Sequence, residues 1–123
     1  MKKYKSIVLF LSSSTKIYNA IPNEIFENWD IYFSKTYNDR PLINKSLIPQ
    51  LIILDTYNLG FDFLFLLKQI SEIDKCPILV IDEYDQEVLI NTIIKNGASS
   101  YIQLSEISQH LENKIKNLLP TNH

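Results

Sequence analysis

The chain is poor in the residues that mark several protein classes. Its 123 residues include two glycines, one cysteine, one methionine and one tryptophan. So little glycine leaves no phosphate-cradling glycine loop and no nucleophile elbow. Connections must be short, or built from Asn, Ser and Asp. One cysteine, Cys76, excludes an internal disulfide and fits a reducing cytoplasm. It precedes Pro77 with no evident base, so a nucleophilic role is not expected. The two histidines, His110 and His123, lack the spacing of a metal motif, and both are expected to face solvent. An excess of one charge is missing too. Twelve basic residues stand against fourteen acidic ones, a net charge of -2, which argues against nucleic-acid binding as the main task. The Lys2-Lys3-Lys5 cluster is too short to change that balance and reads as a solvated terminus. Long apolar runs are also absent. Ile7 to Leu11 is too short for a signal segment or a membrane span, and three serines follow it directly. What remains is a soluble, cytoplasmic, single domain over residues 1–123, large enough to bury a core.

The stretch that organises the chain is Leu51-Ile52-Ile53-Leu54-Asp55. Four consecutive apolar residues read as a strand buried on both faces, as in a parallel sheet covered by helices. The closing carboxylate is expected at the carboxyl end of that strand, where open α/β sheets place ligand sites. Pro77-Ile78-Leu79-Val80-Ile81-Asp82 repeats the pattern. Further strands are expected at Ser6 to Leu11, at Trp29 to Ser34 (possibly at a sheet edge) and at Ser100 to Leu104. Between them, Ile17, Ile21, Ile25 and Phe26 suggest a helix reaching about Asn28. Pro22 either kinks that helix or starts a shorter one. Asn38-Asp39-Arg40-Pro41 opens a short helix through about Ser46. Phe61 to Ile73 and Asp85 to Asn96 are helical, with Gly97 as a left-handed stop. A last helix begins at Ser105 or Ser108 and turns Leu111, Ile115 and Leu118 to the core. Strands alternating with helices call for a three-layer α/β fold of five βα units. Right-handed crossovers favour a flavodoxin-like parallel sheet of order 2-1-3-4-5.

Three segments, in order, resemble a response-regulator receiver domain of the CheY-like type. Pro49 to Asp55 is similar to the strand ending in the family's phosphoacceptor aspartate, with Gly60, Asp62 and Phe63 where Gly, Asp and Gly follow it. Pro77 to Asp82 resembles the fourth strand. Gly97-Ala98-Ser99-Ser100-Tyr101 resembles the lead into the fifth. The resemblance implies that Asp55 is the phosphoacceptor position and Tyr101 the aromatic switch.

It also implies losses. Ser12 and Ser13 stand where the family carries two Mg²⁺-binding acids, and hydroxyls are poor ligands for that ion. Asp82 replaces the hydroxyl residue that binds the phosphoryl group. Leu104 replaces the lysine, Ser105 the proline after it, and Leu59 the loop proline. Phosphoryl transfer depends on positioning and charge neutralisation, and both are depleted here. The expectation is a non-enzymatic pseudo-receiver with a vestigial Asp55, no cofactor, and weak Mg²⁺ binding as the residual possibility.

The alternatives are a phosphoacceptor modified on Asp55 by a histidine kinase, and a flavodoxin-like module binding a small anion at Ser12 to Thr15. Asp55 and Asp82 are read as solvated loop-end carboxylates, with an anion pair sharing a proton or cation as the sharper reading. Lys16 is a local candidate to neutralise them. Val88, Leu89, Ile90, Ile93 and Ile94 exceed one buried stripe, so Val88 or Leu89 should be exposed. A protein partner or second copy is expected on the face of the fourth helix, fifth strand and fifth helix. Phe61 and Phe65 offer a second possible patch, with core packing the more common fate for such residues.

Overall fold

The computed structural model describes residues 5–35, 48–56, 63–83 and 85–119. Five strands lie among them: β1 (Ile7–Leu11), β2 (Asp30–Ser34), β3 (Leu51–Asp55), β4 (Ile78–Asp82) and β5 (Ser100–Gln103). All neighbouring pairs are parallel and the order is β2-β1-β3-β4-β5. β3 is central and every one of its residues is buried, as is every residue of β4. That explains the two apolar runs without polar alternation: both faces of these strands are covered.

Successive residues feed opposite faces. Val8, Phe10, Leu51, Ile53, Leu79 and Ile81 join one core, which α5 (Ile107–Leu118) closes with Ile107, Leu111 and Ile115. Leu9, Leu11, Ile52, Leu54, Ile78 and Val80 join the other. There α3 (Phe63–Ile73) supplies Phe63, Leu67 and Ile70, and α4 (Glu87–Lys95) supplies Ile93.

Pro22 resolves the first helical region into two helices. α1 (Thr15–Ala20) ends before Ile21, and α2 (Asn23–Asn28) starts after Pro22, which takes the N-cap position with extended backbone. Proline's fixed φ and missing N–H suit that start and oppose a continuous helix. β5 is shorter than expected. Leu104 leaves the strand and opens a 3-10 turn, Leu104–Glu106, packing partly against the first core.

Phe65 takes the less common of its two expected fates: it is 77% exposed. Phe63, Leu67 and Ile70 occupy the core arc of α3, and a residue two positions after Phe63 lies about 200° round the helix. The short helix expected at 41–46 and Phe61 lie outside the described residues. Gly97 follows α4 with φ +122°, as its stop role requires.

Candidate functional site

The carboxyl ends of β1, β3 and β4 bring Ser12, Asp55, Thr56 and Asp82 to one end of the sheet. β1 and β3 pair through Leu11 and Leu54, so the residues that follow, Ser12 and Asp55, are neighbours across the ladder. The Ser12 hydroxyl donates to Asp55 Oδ2 at 2.7 Å, and Ser12 Oγ accepts from the Ser14 N–H at 3.0 Å. One serine therefore ties the Asp55 carboxylate to the lead-in of α1. Ser13 is exposed and Lys16 points to solvent.

β3 and β4 pair through Asp55 and Ile81, and the Thr56 N–H extends the ladder to the Ile81 carbonyl at 3.0 Å. The Thr56 hydroxyl lies 3.0 Å from that same carbonyl and also donates to Asp82 Oδ2. The other carboxylate oxygen, Asp82 Oδ1, accepts from the Glu83 N–H at 2.7 Å.

These carboxylates are not solvated loop ends. Asp55 is 4% exposed and Asp82 5% exposed, so the expected hydration is corrected by burial with donors. Hydroxyl and amide donors offset the desolvation that burial imposes on a carboxylate.

The residue that sequence reasoning missed is Thr56, 1% exposed and adjacent to the organising aspartate. Its signal was weak: a small polar β-branched side chain directly after a buried strand. Only the β3–β4 register sets it beside Asp82.

Among the described residues no group of three or more His, Cys, Asp or Glu side chains is arranged to hold a metal ion. Leu104, at the position the resemblance gives to the family's lysine, belongs to the 3-10 turn and packs partly against the first core. Tyr101 is buried within the second core, so it contributes little surface. On α4, Val88 is 74% exposed and Leu89 36% exposed; on α3, Phe65 and Ile73 are exposed as well. His110 is exposed, as expected. No described helix is long and apolar enough to cross a membrane.

A five-stranded parallel sheet of this order, with its central strand ending in an aspartate, is the flavodoxin-like arrangement. No protein-family model matches the sequence, and no curated protein matches it. The likeness is instead to solved structures. A response regulator from Thermotoga maritima superposes with a TM-score of 0.80 at 20% identity, covering 93% of this chain and 97% of that one. The BeF3-activated N-terminal receiver domain of Klebsiella pneumoniae RstA gives 0.78 at 17% identity, covering 94% and 100%. HP1043, an orphan response regulator of Helicobacter pylori, gives 0.74 at 15% identity, covering 97% and 100%. At these identities the likeness carries the fold.

Proposed function

We propose that this domain is a cytoplasmic pseudo-receiver, a non-enzymatic module of two-component-type signalling that works by protein contact without phosphorylation. One observation carries the reading. At the position where receivers accept a phosphoryl group, the polar groups here are already engaged with one another. Asp55 takes the Ser12 hydroxyl, and Asp82 takes the Thr56 hydroxyl and the Glu83 amide. A phosphoryl group on Asp55 would have to displace Ser12 and would place its charge near a second buried carboxylate. With no positive charge supplied by Ser12, Ser13 or Leu104, that repulsion would be poorly offset in a low-dielectric site.

The contact surface is assigned to α4 and its neighbours β5 and α5. Val88, Leu89 and Ile94 are exposed aliphatic side chains on a nine-residue helix, with Val88 and Leu89 adjacent in its first turn, and exposed apolar surface beyond isolated residues commonly marks a partner site. The partner is another signalling protein or a second copy of this chain.

The test is a titration of Mg²⁺ with and without beryllofluoride, followed by amide NMR shifts of Ser12, Thr56 and Glu83. Trp29 fluorescence is a poor reporter, because Trp29 is buried just before β2, at the opposite end of the sheet. No saturable shift is expected. A saturable shift that disappears in Asp55→Asn would establish the phosphoacceptor reading in its place.

A further inference from the structure

Thr56 and Asp82 are two deeply buried polar side chains for which the contact surface on α4 has no direct use. Their bonds run in a chain from one strand to the next helix. The Thr56 amide is held by the Ile81 carbonyl, its hydroxyl serves that carbonyl and Asp82 Oδ2, and Asp82 Oδ1 holds the Glu83 amide. Glu83 is the first residue past β4, and α4 begins four residues later at Glu87. Asp82 therefore has each oxygen engaged by a donor from this chain. One donor belongs to β3's end and the other to the segment that leads to α4.

The bond between Asp82 and the Glu83 amide is local and would form in many turns. The bond from Thr56 is different, because it spans 26 residues and anchors that turn to the central strand. Moving the segment away would strip Asp82 Oδ2 of its hydroxyl donor in a buried site, a costly outcome for a carboxylate, while the Thr56 hydroxyl would be left with the Ile81 carbonyl alone.

We infer that Thr56 and Asp82 form an internal latch that holds Glu83, where the chain leaves β4 toward α4, against the end of β3 without any ligand. The latch keeps the first turn of α4, which carries Val88 and Leu89, in a fixed place relative to β3. It rests on the reading of α4 as the contact face and adds that this face is presented constitutively. Thr56 is a positioning residue in this scheme.

The test is amide hydrogen exchange on the full chain, without Mg²⁺ or beryllofluoride, in wild type, Thr56→Val, Thr56→Ser and Asp82→Asn. Three hydrogen-bonded amides report on the latch: Thr56 to Ile81, Glu83 to Asp82, and Ile90 to Gln86. Two remote ones serve as controls: Ser99 to Ile78 and Leu119 to Ile115. In Thr56→Val, which keeps the shape and loses the hydroxyl, the Glu83 and Ile90 amides should exchange about tenfold faster, with the controls unchanged. Thr56→Ser should exchange like wild type. Wild-type exchange in Thr56→Val, or equal loosening in Thr56→Ser, overturns the latch.

If Thr56→Val loses protection everywhere, Asp82→Asn decides the matter. Faster exchange confined to the latch amides supports the latch, and wild-type exchange overturns it. The latch is read in the unliganded protein, whereas the phosphorylation-independent reading fails only on adding Mg²⁺ and beryllofluoride. The two failures are therefore distinguishable.

Discussion

Asp55 and Asp82 end adjacent strands, and each accepts a hydrogen bond from a hydroxyl just beyond a neighbouring strand. For Asp55 it is Ser12, one residue beyond β1; for Asp82 it is Thr56, one residue beyond β3. Both donors lie far from their acceptors in sequence, separated by 43 and 26 residues, so neither bond was legible before the strands were placed. The aspartates themselves stood out because each closes an apolar run. Gly97 was legible as a helix stop, but its packing was not. A Cβ at Gly97 would lie 2.7 Å from Ser71 Cβ and Oγ, at a φ of +122°. Gly97→Ala should therefore lower stability by about 2–4 kcal/mol through backbone strain and overpacking together. Urea unfolding provides the measurement, with an unchanged m-value identifying a stability effect.

Among the elements, the strands were the most legible, because a short apolar run buried on both faces has few alternatives. β3 and β4 match their expected spans to within a residue. The first helical region was ambiguous for a local reason: the apolar spacing continues through Pro22 while the backbone cannot. β5 was read one residue too long, since Leu104 is apolar enough to extend a strand yet turns into the 3-10 segment. α3 exposes Phe65 because its apolar residues are more numerous than its core arc can hold. In α5 the arc and the apolar residues agree: Leu111 is fully buried, whereas His110 beside it is exposed. Leu111→Ala should cost about 2–5 kcal/mol by leaving a cavity. His110→Ala should stay within about 0.5 kcal/mol, as expected for a solvent-facing change. Thermal or denaturant melts of the pair test whether the facing of α5 is right.

For the whole molecule, the parallel sheet divides the interior into two cores and leaves its chemistry-bearing residues at the strands' carboxyl ends. The same arrangement puts α4 at the surface with more aliphatic residues than its buried side needs. Val88→Asp changes a side chain that is 74% exposed, so it should leave the unfolding midpoint nearly unchanged. If α4 forms a homodimer, that variant should sediment as a monomer where the wild type self-associates. Leu89→Asp should act in the same direction but lose some stability as well, because Leu89 is only partly exposed. A wild type that is monomeric at micromolar concentration would remove the homodimer and leave a different protein as the partner.

Sequence by itself determined the fold class, because apolar runs bounded by turn residues and alternating with helical patterns admit few layered solutions. It also determined where the two aspartates fall along their strands. The resemblance to receivers located the losses at Ser12, Ser13, Asp82 and Leu104, since those depend only on residue identity at aligned positions. Only the tertiary structure decided what the remaining polar groups do. Strand register set Ser12 against Asp55 and Thr56 against Asp82, and burial turned two apparently solvated carboxylates into anchored ones. The physical reason is that pairing across a parallel sheet joins residues tens of positions apart, and local pattern carries no information about which hydroxyl will meet which carboxylate.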